Sequence, residues 1–335
     1  MGGAGCSKIV VSNTGADVAV CHVTVSDTVN FRLAHDAEDS PKTAISFAVP
    51  AAGTYTFSLW RWVSTGTPSC TLTIAGNGAG DSTVAVTSTA LSMTLTLAGM
   101  GAGHVWDFAV GDELTDKVGS LDLVTTGVEG PTTFEFGADS GPFPGMQGQV
   151  RLIGTTGGYS VKIPNCTMHR DSTDRALVYI WKTPASWVTN KAILVGPGAG
   201  TGNKANQFCS VYRKSSKVLA MPYIHDPWAP DPVIERKSSG KVHSDAVNTG
   251  ILLTIQRDGT KKTFIGESWD EAGKYGKYGA DGGEIDAGTV DGPFFIGGGS
   301  STYHCSAHTA YALAMFPLSL IWRSDLLGLK NLTGL

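Results

Sequence analysis

ILLTIQRDGTKKTFIGE, residues 251–267, is a pair of apolar and β-branched runs closed around Arg257-Asp258-Gly259-Thr260. An Asp-Gly step between two such runs is the strongest short-range hairpin signal a sequence carries, because both residues tolerate the positive φ that a tight turn demands. Working outward, the same grammar repeats. Ala176–Lys182, Ala192–Val195, Phe208–Tyr212 and Val218–Tyr223 on one side are strand-like runs, as is Phe294–Ile296 on the other. Leu121–Thr125, Gln149–Ile153 and Tyr159–Ile163 extend the series toward the N-terminus. Helical signals are confined to the end, where Ser324 is placed to cap Asp325–Leu332 and Leu326, Leu327 and Leu329 offer a small apolar face.

The first hundred residues follow the same pattern. Lys8–Val11, Val18–Val25 and Ala44–Val49 are β-rich runs broken by Asn13, Gly15, Asp17 and Pro50. Gly53–Val63, GTYTFSLWRWV, alternates: Tyr55, Phe57, Leu59 and Arg61 fall on one face, Thr56, Ser58, Trp60 and Trp62 on the other. Cys70–Ile74, Ser82–Val86 and Ser92–Leu97 read as further strands. This density of short strands predicts a small sandwich. The run Gly99–Gly103, GMGAG, is the natural break, giving domains over 1–100 and 104–335.

Bulk composition narrows the classes. The chain has 335 residues, 43 of them glycine, with 16% charged and 41% hydrophobic residues, which excludes a disordered polar chain. Net charge is −4 with both signs scattered, so no basic stripe tracks a phosphate backbone and nucleic acid is not an expected partner. Cys6, Cys21, Cys70, Cys166, Cys209 and Cys305 contain no CxxC pair and fall three to each half, which predicts free buried thiols. Met1–Ser7 lacks the basic and apolar regions of a secretory signal and the Ser or Thr of a myristoylation site. No run reaches the ~18 apolar residues of a membrane span, so no membrane partner is expected.

From Trp106 onward the order of features resembles the concanavalin-A-like, laminin-G-type jelly roll. WDFAVGDELTDKVGSLDLV resembles its opening strand and Asp-containing turn, and RALVYIWKTPASW its central strand with Trp181. The 251–267 hairpin, FFIGGGSS and YALAMFPLSLIWRSDLLGLKNL follow in the family's order. The resemblance implies a jelly-roll sandwich for this part; with the strand density of the first hundred residues, the chain is expected to be all-β, a small N-terminal β-sandwich followed by a concanavalin-A-like jelly-roll sandwich. Trp181, Tyr179, Phe208, Phe264, Phe295 and Leu313 would be core residues.

Candidate sites are few. MPYIHDPWAPDP, residues 221–232, is a Pro-ordered loop that reads first as a structural or subunit-contact loop; the alternative is glycan contact, with Trp228 stacking on a sugar ring, His225 and Asp226 bonding hydroxyls and Tyr223 beside them. Trp60 and Trp62 are core or a sugar-stacking platform. Asp281, Glu284, Asp286 and Asp291 form a Gly-spaced acidic stretch. They read as turn carboxylates, with calcium ligands the alternative that the family resemblance allows near the sheet rim; no cofactor is expected otherwise. Glu267, Asp270 and Glu271 depart from the two-residue spacing of glycanase carboxylates and read as a solvated hairpin exit. His304 and His308 would share a face if one strand held both. No HExxH, GxSxG or P-loop occurs.

The expected function is therefore non-enzymatic: a structural protein on a phage virion surface (capsid decoration, head fibre or tail accessory), released by lysis. It would be homo-oligomeric, with other virion proteins and a host-surface glycan as partners. A carbohydrate-binding adhesin is the alternative, and a glycan-cleaving enzyme stands behind both.

Overall fold

The structure is a computed structural model. It describes residues 2–3, 5–36, 40–63, 65–77, 79–108, 112, 114–125, 132–135, 150–154, 161–166, 174–182, 191–197, 210–214, 217–221, 241–244, 249–258, 263–273, 275–280, 292–296, 304–305 and 308–335. The chain is all-β apart from two short helices among these residues, and it divides into two compact units.

The first unit contains residues 1–102 and Ile321–Gly334. Its strands are β1 (Gly2–Gly3), β2 (Cys6–Ser12), β3 (Ala19–Val25), β4 (Phe31–Ala34), β5 (Ala44–Val49), β6 (Thr54–Arg61), β7 (Ser69–Gly76) and β8 (Ala79–Ser88). They form a five-stranded sheet, β1-β8-β7-β3-β5, and a three-stranded sheet, β2-β6-β4. Val23, Val25, Ile45, Phe47 and Leu72 of the first meet Ile9, Leu33, Phe57 and Leu59 of the second in one buried cluster, which makes the pair a sandwich. Phe57 and Leu59 point into this core as the alternation of 53–63 requires.

Residues Ser92–Leu97, expected as a strand, instead open helix α1 (Met93–Gly99). Ser92 caps it, its side chain accepting from Leu95 N–H at 3.3 Å. Met93, Thr96 and Leu97 are buried together at helical spacing. The Thr-rich composition masked that period. The closing helix α2 (Arg323–Thr333) also differs from expectation. Trp322 occupies its N-cap position, and Ser324 lies inside the helix, its hydroxyl donating to His35 O at 3.0 Å. It belongs to the first unit, whereas the boundary read from the sequence carried it with the second.

The second unit, which runs from Gly103 to Leu320 among the described residues, begins with β9 (His104–Trp106), β10 (Val124–Thr125), β11 (Thr132–Glu135), β12 (Val150–Gly154) and β13 (Val161–Cys166). It continues through β14 (Arg175–Lys182), β15 (Lys191–Pro197), β16 (Ser210–Lys214), β17 (Lys217–Met221) and β18 (Lys241–Ser244). The rest are β19 (Gly250–Asp258), β20 (Thr263–Asp270), β21 (Tyr275–Ala280), β22 (Gly292–Ile296), β23 (His304–Cys305) and β24 (Thr309–Phe316). One sheet runs β10-β13-β22-β15-β16-β17-β18 with β23 against β15. The other runs β11-β12-β24-β14-β19-β20-β21 with β9 against β24. The chain passes back and forth between them, as a two-sheet sandwich requires.

The 251–267 hairpin exists as β19–β20, but Asp258 pairs with Thr263 and Arg257 with Phe264. A two-residue Asp-Gly turn would have set Arg257 opposite Thr260, so the connection is longer than expected. The interior of this sheet is also drier than simple alternation predicts. Every residue from Arg175 to Trp181 is buried, and so is every residue from Ala310 to Phe316. Both faces of β14 and β24 are therefore covered. Trp181, Tyr179 and Leu313 are core as expected, whereas Phe208 and the side chains of Phe264 and Phe295 lie outside the described residues.

The Asp-containing turn after β9 is organised around one carboxylate. Asp116 Oδ1 accepts from the N–H groups of Val105, Val118 and Gly119, and Oδ2 from Leu121 N–H and His104 Nδ1, at 2.7–3.2 Å. Cys6, Cys21 and Cys70 are free and buried, as expected. Burial pushes the Cys70 thiol up to about 11 and Cys6 well above the ordinary range, so both stay protonated and unreactive.

Candidate functional site

Tyr223, His225, Asp226 and Trp228 lie outside the described residues, as do Asp281, Glu284, Asp286 and Asp291. Among the described residues no three His, Cys, Asp or Glu side chains gather where they could hold a metal ion.

The acidic run at 267–271 is described, and it is not a solvated hairpin exit. β20 continues through Asp270 because it is paired on both sides, with β19 and with β21. Glu267 is 4% exposed and Asp270 5%. Glu271 follows the strand end and is exposed. Three residues apart on a strand, Glu267 and Asp270 point to opposite faces. They cannot flank a single glycosidic bond as acid and nucleophile, which requires two carboxyls converging from either side of it.

Glu267 instead anchors an aromatic group at the sheet's edge. Trp269 lies directly opposite Tyr275 in the β20–β21 register, and their rings are 5.5 Å apart and tilted by 36°. The Tyr275 hydroxyl reaches diagonally along the same face and donates to Glu267 Oε1 at 2.5 Å. The Glu267 main chain is tied in turn, its carbonyl accepting from the Thr254 hydroxyl of β19 at 3.4 Å. Trp269 is 3% exposed, but Tyr275 is 42% exposed on the last strand of the sheet. The outcome is an accessible aromatic ring whose position is set by a buried carboxylate on one side and a buried indole on the other.

A second polar-aromatic cluster occupies β14 and the start of β24. Tyr179 Oη and His308 Nε2 are 2.5 Å apart. The Trp181 ring stands edge-on to His308 at 6.0 Å, and Tyr179 lies nearly parallel to Trp181 at 6.2 Å. All three side chains are buried, which suits a core network rather than a binding surface. His304 does not join it through a shared strand: it lies on β23 paired with Lys191, and His308 precedes β24. The sequence lacks one continuous strand there, so the expected His pair is not formed that way.

Trp60 and Trp62 likewise fail to make a platform. β6 ends at Arg61. Trp60 is fully buried and its Nε1–H donates to Asp325 Oδ1 at 2.7 Å, whereas Trp62 is half-buried with the Arg32 guanidinium 5.3 Å from its ring.

In the sequence the 267–271 run departs from the spacing of paired glycanase carboxylates and is followed by a Gly- and Lys-rich stretch, so it reads as a hairpin exit. The signal that would have found the site is the alternation Glu267, Trp269 followed by Tyr275 across a Gly-containing turn.

No protein-family model matches the chain, and no curated protein does. Solved structures similar to it include a Trypanosoma rangeli sialidase in complex with sialic acid, at 12% identity and TM-score 0.44, covering 86% of this chain and 42% of the sialidase. An arabinofuranosidase complexed with arabinofuranosyl-α-1,2-xylobiose is 11% identical with TM-score 0.41, covering 94% of this chain and 62% of the enzyme. Peanut lectin is 10% identical with TM-score 0.30, covering 58% of this chain and 94% of the lectin.

Proposed function

We propose that the second unit binds glycan without cleaving it, as part of a protein displayed on a surface such as a phage virion. The observation that carries the reading is Tyr275, an aromatic ring 42% exposed on an edge strand yet held in place by Glu267 and Trp269. A fixed, accessible aromatic face suits the apolar face of a sugar ring, because little side-chain freedom is lost when the sugar stacks. The opposed directions of Glu267 and Asp270 support binding over hydrolysis.

A glycan array followed by calorimetry on the best binder tests this. Tyr275→Ala should weaken binding by about tenfold or more, the equivalent of ~1.4 kcal/mol, while Tyr275→Phe, which keeps the ring and loses only the hydroxyl, should retain most of it. An unchanged affinity in Tyr275→Ala would move the site elsewhere, and Trp228→Ala would then be the variant to measure. Release of reducing ends from a polysaccharide panel would overturn the non-enzymatic part. Binding abolished by a chelator and restored by calcium would assign a metal role to Asp281, Asp286 and Asp291.

A further inference from the structure

The points where the chain arrives in the second unit and leaves it are side by side. β9, which opens the unit, pairs antiparallel with β24, which all but closes it: Trp106 opposes Leu313 and His104 opposes Met315. Gly103 N–H donates to Met315 O at 3.0 Å, and a Cβ on Gly103 would lie 3.0 Å from Pro317 Cδ. A fold whose ends meet in this way can be spliced into another chain without stretching it.

After Leu320 the chain returns to the first unit and completes it. Asp325, 1% exposed, accepts from Lys8 Nζ at 2.6 Å and from Trp60 Nε1 at 2.7 Å. The Lys8 ammonium also lies 3.3 Å from the centre of the Trp322 ring. Asn331 Nδ2 donates to Trp62 O at 2.7 Å. At Gly328 there is no room for a side chain, since a Cβ would lie 2.5 Å from Trp60. Helix α1, on the other side of the interruption, converges on the same spot. Gly5 N–H donates to Thr96 Oγ1 at 3.0 Å, and a Cβ on Gly5 would collide with both Thr96 and Leu332.

We infer that the second unit is an insertion nested in the first, and that Gly5, Lys8, Trp60 and Trp62 form a receiving surface whose partner is the chain's own closing helix. Among the described residues, those of 1–102 and 321–334 make one fold and those of 103–320 make another. The segment that follows the insertion is thus required for the first unit to reach its native state.

Hydrogen exchange on the full-length chain tests this, comparing the native sequence with Asp325→Ala and the milder Lys8→Gln. Removing the buried Asp325 carboxylate, which holds the half-buried Lys8 ammonium and leaves the buried Trp60 N–H without its acceptor, should lower protection by about tenfold or more. The expected loss reaches β3, β5 and β7, while β14, β19 and β24 keep theirs. Lys8→Gln should give the same pattern with a smaller loss, and it carries the test if Asp325→Ala does not fold. A loss confined to residues 323–333 would make the helix an appendage and overturn the inference. An equal loss in β14 and β19 would overturn it too, because the two units would then not be separate folds.

Discussion

At the scale of single residues, one carboxylate, that of Asp116, organises the turn that opens the second unit. Burial pushes its carboxyl upward, but N–H groups from Leu121 and Gly119, the His104 ring and the Val105 N–H outweigh that, and the net shift is below the ordinary carboxylate range. A carboxyl lowered on folding contributes stability that is present above its unfolded value, about 3.9, and that is lost as pH falls through the folded value. The second unit should therefore lose stability below about pH 4. Asp116→Asn should flatten that dependence while making the unit less stable at neutral pH; thermal melts from pH 2 to 7 read both. Gly119 has no freedom at the same place. A Cβ there would lie 2.3 Å from His104 Nδ1 and 2.6 Å from Asp116 Oδ2. Gly119→Ala should cost about 1–3 kcal/mol by denaturant unfolding, and an unchanged midpoint would mean that the turn is looser than these contacts describe.

At the scale of elements, period-two alternation and Gly/Pro punctuation marked most strands, and Ala44–Val49 coincides with β5. What alternation could not show is that β14 and β24 are covered on both faces. ALVYIW and AYALAMF are continuous apolar runs, which periodicity alone does not assign to a strand or a helix. Helix α1 was hidden for the opposite reason, because Thr94 and Thr96 lend a strand-like composition to a segment that Ser92 caps. The aromatic site stayed hidden because its meaning depends on pairing: only the β20–β21 register brings Trp269 and Tyr275 together. Central burial has a measurable consequence. Ala312 is fully buried opposite Ile180, so Ala312→Leu should overpack the sheet and cost about 1–3 kcal/mol. Leu313→Ala, one residue on, should leave a cavity and cost about 2–5 kcal/mol. Had β24 one solvated face, one of the two substitutions would be near neutral.

At the scale of the whole molecule, nesting makes the two units depend on each other unequally. The ends of the second unit are held by its own β9–β24 pairing, so its stability should be indifferent to whether the first unit is folded. The first unit has no such independence. If the second unit unfolds, bringing α2 back to Lys8 and Trp60 means closing a loop over residues 103–320. Relative to a short connection this costs about 2–3 kcal/mol, since closure entropy grows with the logarithm of loop length. Scanning calorimetry on the full chain should therefore show two transitions with asymmetric coupling. Asp325→Ala should lower the first unit's transition and leave the second where it was. Leu313→Ala should lower the second unit's transition and, once that unit melts first, draw the first unit's transition down with it. Reversed coupling, with Asp325→Ala shifting both transitions and Leu313→Ala only one, would mean that the closing helix stabilises the second unit and that the first unit stands without it.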